Sequence, residues 1–173
     1  MKGLHIMGDT GLIPWTEVRS WSCVACGNCC NGYKVPLKTE EYAKVAQTYG
    51  TGVLEFGVGR VFLRNGRENR CVFQRPTVGR WICSLQGMKP IACKLFPFRI
   101  HSKPVYKRGD TSAYRYRGKT FHVYMDSACN GIQIGSPTPR FRREVLPEIV
   151  RIGMGERMKQ KFTTSKYISW TPP

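Results

Sequence analysis

Four cysteines crowd into eight positions near the start of the chain, as Cys23-Val-Ala-Cys26-Gly-Asn-Cys29-Cys30. Two cysteines separated by two residues can turn both sulfur atoms toward one metal ion, and Gly27 permits the tight backbone that this turn needs. Core packing alone rarely explains so dense a cluster. The octet of residues 23–30 therefore predicts a thiolate-ligated metal site.

Four further cysteines follow, each near a turn signal or a short strand: Cys71, Cys83, Cys93 and Cys129. We expect all eight to be ligands, in two four-sulfur sites or in one cluster with four thiols to spare. An isolated cysteine also packs as a small hydrophobe, which is the alternative for Cys71, Cys83 and Cys129. Adjacent side chains diverge, so Cys29 and Cys30 should serve different centres, unless one ligates and the other packs.

The complete cysteine pattern resembles that of the CxxCxxCC cysteine-cluster proteins, whose shared domain is described as zinc- or iron-chelating. After the octet come Cys71-Val-Phe73, then Cys83 through Pro90 and Cys93 to Phe96-Pro97-Phe98, and last Cys129-Asn-Gly131. Lys89 and Lys94 stand where the family usually has arginine. The family includes a flagellin lysine methylase, so the resemblance implies metal binding and is compatible with an enzyme or a binding protein.

The metal is either an iron–sulfur cluster or Zn²⁺, because thiolates suit both. Three cysteines at two-residue spacing are similar to a loop that wraps an iron–sulfur cube, and the resemblance implies iron among the relatives, so we favour iron–sulfur. Eight sulfurs saturate two tetrahedral sites. We therefore expect the three histidines, His5, His101 and His122, to be surface or structural residues.

The chain is strongly basic, with 28 Lys and Arg against 11 Asp and Glu and a formal net charge of +17. Small domains typically carry a net charge of about 2–8, and a larger excess repels itself unless a polyanion neutralises it. Arginine outnumbers lysine, and its planar fork suits phosphate oxygens and stacks on bases. We predict RNA as the partner, with ribosomal RNA in a ribonucleoprotein as its context. An acidic membrane surface or an acidic protein is the alternative.

The basic residues recur in patches on segments expected at the surface. In the strand Tyr114-Arg115-Tyr116-Arg117, alternation puts the tyrosines on one face and the arginines on the other. That pattern suits a solvated strand above a tyrosine-containing core as well as arginines on phosphates. The candidate RNA-binding residues are Lys107, Arg108, Arg115, Arg117, Lys119, Arg140, Arg142, Arg143, Arg157, Lys159 and Lys161.

The pattern of apolar residues and turn signals predicts a small single α+β domain with short antiparallel strands, few helices and irregular loops organised by metal. Helices are predicted over residues 37–49 and 140–152. Two hairpins are predicted, one joining 60–64 to 70–73 around Asn65-Gly66 and one joining 113–117 to 120–125 around Gly118-Lys119. The predicted organisation is an extended arm over 1–22, a cysteine-cluster domain over 23–152, and a basic tail over 153–173 that is extended or disordered when free.

These observations favour a non-enzymatic, metal-stabilised RNA-binding protein. We find no nucleotide or methyl-donor loop, few candidate catalytic acids and no sign of a small-molecule substrate. The chief alternative is an iron–sulfur enzyme of the same family, methylase-like or redox, and a metal carrier with labile thiolates is a third. Eight cysteines without a targeting signal, and with no apolar run of membrane-spanning length, indicate the reducing cytoplasm and no membrane association.

Overall fold

The structure, a computed structural model, describes residues 11–105 and 109–165. His5, Lys107, Arg108 and the first ten residues of the predicted arm lie outside this part. The strands are β1 (Leu12–Pro14), β2 (Val18–Trp21), β3 (Pro36–Leu37), β4 (Leu54–Gly57), β5 (Arg60–Leu63), β6 (Gln74–Thr77), β7 (Arg80–Cys83), β8 (Phe98–His101), β9 (Ala113–Tyr116), β10 (Lys119–Asp126) and β11 (Ile132–Ile134). The helices are α1 (Thr39–Tyr49), α2 (Ile91–Leu95), α3 (Gly109–Ser112) and α4 (Leu146–Gly153), and a π-helical turn, Phe141–Val145, leads into α4.

The strands form small antiparallel sheets, which confirms the predicted α+β class. In the described residues β10 pairs with β1, β8 and β9, β2 pairs with β11, β5 lies between β3 and β4, and β6 pairs with β7. No helix in the described ranges is long and apolar enough to cross a membrane.

The first hydrophobic core lies between the β10 sheet and α4. The side chains of Val123 and Met125 on β10 and of Ile149 and Val150 on α4 are fully buried. Each such side chain contributes about 1.5–3 kcal/mol relative to full exposure. Trp21 and Phe98 extend this core toward the cysteines, with ring centroids 5.2 Å apart.

The second hydrophobic core lies between α1, the β3-β5-β4 sheet and the segment that leads into β6. Val45 is the buried residue of α1, and it packs with Leu63 of β5 and with Phe73 and Leu85. Tyr49 closes the end of the helix by meeting the ring of Phe73 edge-on at 4.9 Å. The cysteines lie between the two cores, and members of the set pack against each.

Helix α1 follows the predicted apolar spacing, with a different residue at its start. The helix runs from Thr39 to Tyr49, two residues later than the predicted start at residue 37, and Lys38 occupies the N-cap position. The Glu41 carboxylate accepts the Lys38 backbone N–H at 3.0 Å, because an orphan donor at a helix start needs a partner. Gly50 follows the last helical residue as expected.

One predicted hairpin is confirmed and the other is wrong. Strands β9 and β10 pair as predicted, with the turn at Arg117 and Gly118, one residue before the predicted Gly118-Lys119, and both turn residues have the positive φ that a two-residue type I′ turn requires. Strand β5, however, pairs with β3 and β4, and Arg70 and Cys71 form only isolated bridges with Asn31 and Asn65. Here Gly59, with φ of +65°, makes the turn that joins β4 to β5, whereas Asn65-Gly66 opens an irregular loop.

Residues 11–21 are extended but do not form a separate arm. Strand β1 pairs with β10, and β2 pairs with β11, so this segment contributes Val18 and Trp21 to the first core. Burial of these two apolar side chains stabilises the segment on the domain more than Gly11 and Pro14 disfavour its order.

The described part of the basic tail, residues 154–165, is also held on the domain. Glu148 of α4 is only 3% exposed, and its carboxylate accepts the backbone N–H groups of Lys161, Phe162 and Thr163 and the Thr163 hydroxyl. Arg157 Nη2 lies 3.4 Å from the same carboxylate. A buried carboxylate is costly unless it is paired and hydrogen-bonded, so the contacts of Glu148 with Arg157 and residues 161–163 fix the segment. We call these contacts the clasp.

We expect the substitution Glu148→Gln to lower the free energy of unfolding by about 3–5 kcal/mol, as for loss of one partner of a buried ion pair. The glutamine amide is neutral, so it cannot balance the charge of Arg157. Its N–H group would also face the backbone N–H donors that the carboxylate accepts. Denaturant unfolding of the metal-loaded protein measures the change. The matched control is Glu144→Gln, which removes an exposed pair with Arg140 worth at most about 1 kcal/mol. Equal stability of the two variants would contradict the clasp.

Candidate metal centre

The octet is held in place by the β6–β7 hairpin. Gln74 Nε2 donates to the Gly27 carbonyl at 2.9 Å, and the Trp81 backbone N–H donates to the Ala25 carbonyl at 2.9 Å. Gly27 has φ of +81°, and a Cβ there would come within 2.7 Å of the Trp81 ring. Only glycine fits, so the turn between the second and third cysteines is built for close approach of the hairpin.

Backbone contacts bring the distant cysteines to the octet. The Ser22 N–H donates to the Gly131 carbonyl at 3.2 Å, which places Cys23 beside the loop that carries Cys129. The Cys71 N–H donates to the Cys30 carbonyl at 2.8 Å. Cysteines far apart in the chain therefore meet at both ends of the octet.

The cysteines fall into two groups by the core against which they pack. Cys23 and Cys129 pack against the first core, and Trp21 Nε1 donates to Cys129 Sγ at 3.3 Å. The second core carries the other set, which comprises Cys30, Cys71, Cys83 and Cys93. Cys26 and Cys29 belong to neither group, and the Cys29 sulfur lies 3.7 Å from that of Cys30.

The expected divergence of Cys29 and Cys30 is not found. Both residues belong to one short 3-10 turn, Asn28–Cys30, in which their sulfur atoms approach each other. Successive residues of a 3-10 helix lie about 120° apart, so the winding of the turn does not bring the sulfurs together, and the side-chain torsions make the approach.

The thiols of both groups line one cavity of about 90 Å³, to which every cysteine except Cys71 contributes. Trp81 and Phe96 add apolar wall, and Thr163, Thr164 and Ser165 of the clasped tail lie at its edge. Burial in this setting shields the sulfurs from water.

The surroundings shift the thiol pKa values in opposite directions. A hydrogen bond from Cys30 lowers the pKa of Cys29 to about 7, with help from the charge of Lys89 and against the effect of burial. The same hydrogen bond and burial raise the pKa of Cys30. Burial raises the pKa values of Cys71, Cys83, Cys93 and Cys129. A metal must displace these protons, so its apparent affinity should fall as the pH falls.

The donor atoms fit a thiolate centre in type, because seven cysteines line one cavity. All eight cysteines are free thiols. Within residues 11–105 and 109–165, no three His, Cys, Asp or Glu side chains are arranged to hold a metal ion. Zinc binds thiolate at about 2.3 Å, so metal binding requires rearrangement of the cysteine side chains. The assignment of the eight cysteines as ligands stays a prediction.

Several supporting residues carry no signal in the sequence. Trp21 donates to a cysteine sulfur, Gln74 and Trp81 cradle the octet, and Glu148 positions the tail beside the cavity. Asn28, inside the octet, donates to the Ala128 carbonyl at 2.9 Å, and only its place in the motif hinted at a role. These contacts depend on tertiary folding, which residue spacing does not report.

The candidate RNA-binding residues lie mostly at the surface. Arg115 of β9 is exposed while Tyr114 and Tyr116 pack on the first core, which confirms the predicted alternation over these three residues, and Arg117 is exposed in the turn that follows. Glu156 accepts from Tyr116 and pairs with Arg117, so the hairpin and the tail are neighbours. Arg157 is largely covered by its pairing with Glu148. The exposed members are Arg115, Arg117, Lys119, Arg140, Arg142, Arg143, Lys159 and Lys161.

Comparison with known proteins finds one match. A family model, CxxCxxCC, described as a "putative zinc- or iron-chelating domain", matches residues 22–130. The matched range holds all eight cysteines. No curated protein and no solved structure shows a significant match to the chain.

Proposed function

The chain belongs to the CxxCxxCC family of zinc- or iron-chelating domains, and from this premise we propose that it is a metal-stabilised RNA-binding protein. The proposed ligands are its eight cysteine thiolates. Bound metal would supply cross-links between loops that are distant in the chain. We favour an iron–sulfur cluster over Zn²⁺, because Cys23, Cys26 and Cys29 have the spacing of a cluster-binding run.

A structural role for the metal is supported by the surroundings of the thiols. Structural sites are closed by four protein ligands, whereas catalytic sites keep an open position. Here seven cysteines line the cavity, more than the four ligands that one tetrahedral ion takes. The apolar side chains of Trp81, Ile82 and Phe96 form part of its wall. The tail segment at its edge limits access further.

The observation that carries the RNA proposal is the unbalanced charge of the surface. In the described part of the chain, six carboxylates are already paired with basic side chains: Glu55, Glu68, Asp126, Glu144, Glu148 and Glu156. With only 11 acidic residues in the whole chain, few remain to balance the other exposed arginines and lysines. A polyanion bound to this surface relieves the repulsion among these basic side chains.

Contacts to the RNA backbone suit this surface better than base recognition does. The exposed basic residues lie on several elements: the β9–β10 hairpin, the turn before α4 and the tail segment. Arginine binds phosphate oxygens through its planar fork. We therefore propose a structured RNA, with ribosomal RNA in a ribonucleoprotein as the target. The free thiols suit a reducing compartment, for which we propose the cytoplasm.

One feature favours a second candidate, an iron–sulfur enzyme. A cavity of about 370 Å³ reaches Cys29 and Cys93 and is also lined by Tyr33 and His101. His101 Nε2 is buried and has no hydrogen-bond partner in the described ranges. A small molecule in this cavity would lie beside the thiols.

Gentle purification from the native cell, followed by identification of the associated macromolecule and metal, tests the proposal. We expect a ribosomal subunit or another ribonucleoprotein to accompany the protein, together with iron and inorganic sulfide or stoichiometric zinc. A free monomer that retains a small substrate would support the enzyme instead. A metal-free protein with no RNA would refute both parts of the proposal.

A further inference from the structure

We propose that the cysteines form two separate four-thiolate metal centres. One centre, the buried centre, consists of Cys30, Cys71, Cys83 and Cys93. The other, the loop centre, consists of Cys23, Cys26, Cys29 and Cys129. This inference rests on the proposed metal binding and adds which cysteines share a centre.

The buried centre is supported by common packing and by short links through β6 and β7. All four of its cysteines pack against the second hydrophobic core. Cys71 is joined to Cys30 by the 2.8 Å backbone hydrogen bond. Gln74 then joins Cys71 to Cys83, because its N–H donates to the Cys71 carbonyl at 2.9 Å and it is the cross-strand partner of Cys83. Four soft donors complete a tetrahedral ion or the corners of one cubane.

The loop centre is supported by the pairing of β2 with β11. Trp21 lies opposite Ile132, and the Ser22 hydrogen bond to Gly131 continues that pairing, so Cys23 and Cys129 flank its end. Both cysteines pack on the first core. Cys26 follows Cys23 at the spacing that lets two sulfurs face one metal.

Cys29 is the residue whose assignment needs an argument, since its sulfur is close to that of Cys30. The Asn28 side chain donates to the Ala128 carbonyl at 2.9 Å and to Asn130 Oδ1 at 3.2 Å, which ties this turn to the loop of Cys129. Cys29 is also outside the set that packs on the second core, whereas Cys30 is within it. Four other cysteines already complete the buried centre, so Cys29 completes the loop centre.

Titration of the metal-free protein with Co²⁺ tests the count of centres. Tetrahedral thiolate sites give intense cobalt absorption, and wild type should bind two equivalents. The variants Cys93→Ser and Cys129→Ser should each keep one equivalent, and the double variant should keep none. The matched control Ser22→Ala, beside Cys23, should keep both. One equivalent in wild type, or one equivalent surviving in the double variant, would overturn the assignment.

Loss of a centre can unfold a variant, so the membership of each centre is tested in wild type. The protein is loaded with one equivalent of Zn²⁺, its unprotected thiols are alkylated, and molecules with four modified cysteines are fragmented intact in the mass spectrometer. Protection should follow only two patterns, with either the buried-centre or the loop-centre cysteines unmodified. Cys29 and Cys30 should never be protected together. Mixed sets would overturn the partition alone, whereas no protection at any metal concentration would overturn metal binding itself.

Discussion

Replacing Cys93 with serine is expected to release the metal of the buried centre and unfold the domain around the second core. Binding of metal to the thiolates is available only once their loops have converged, so its free energy becomes folding free energy, on the order of 10 kcal/mol per structural site. That is comparable to the whole stability of a typical domain, about 5–15 kcal/mol. Cys93 is on α2 between both cavities, where serine offers a poor ligand. Metal analysis, circular dichroism and thermal unfolding measure the loss.

The matched control for this prediction is Ser84→Ala, next to Cys83, which removes one hydroxyl that donates to the Phe73 carbonyl. We expect that variant to keep its metal and to lose only about 1 kcal/mol. Treatment of wild type with a strong chelator should reproduce the cysteine variant. A Cys93→Ser protein that stays folded without metal in the buried centre, together with a wild type that stays folded in chelator, would show that the hydrophobic cores suffice alone.

The second large effect is expected in RNA binding. Changing Arg140, Arg142 and Arg143 together to alanine should weaken binding to a structured ribosomal RNA and flatten its salt dependence. Each phosphate contact contributes about 0.7–0.9 to the slope of log K against log salt, so the loss of three contacts should lower the slope by about 2–3. All three side chains are exposed, and Arg140 pairs with Glu144 in the free protein. Filter retention across a salt series measures both quantities.

The matched control removes the same charge from another part of the surface, through Lys38→Ala, Lys44→Ala and Arg60→Ala. These three residues are exposed and lie outside the proposed RNA surface. We expect a smaller loss of affinity and unchanged metal content in both triple variants. Salt-independent binding, undetectable binding of wild type at physiological salt, or an equal loss in the control would remove the support for a localised RNA surface. Competition by acidic vesicles would then favour a membrane partner.

The spacing of cysteines and the strongest periodic segments allowed much of this fold to be predicted. Helix α1 and the β9–β10 hairpin are found where apolar spacing and Gly118 placed them. The pairing of β5 was predicted wrongly, because Asn65-Gly66 and Gly59 are both acceptable turn signals and only packing of Leu63 and Phe62 on their sheet decides between them.

The sequence predicted the types of the site residues, but it did not predict the residues that hold them in place. The octet and the four single cysteines are identifiable by spacing, whereas their grouping depends on which core each one packs against. The order in residues 154–165 was missed, because a run of basic residues is typical of a solvated tail. The segment is held by one buried carboxylate, Glu148, which lies 13 residues before Lys161 and in no sequence pattern that would mark it.

The position of the clasped segment has a consequence for how the protein is made. Gln160 and residues 163–165 border the cysteine cavity, and they follow Cys129, the last cysteine, in the chain. During synthesis from the N-terminus, every thiol therefore leaves the ribosome before the residues that cover its cavity. An emerging chain presents open thiols to a metal donor, and closure by Glu148 and Thr163 follows. Because Gln160 and residues 163–165 border the cavity only in the finished protein, metal inserted during translation should enter faster than metal added afterwards.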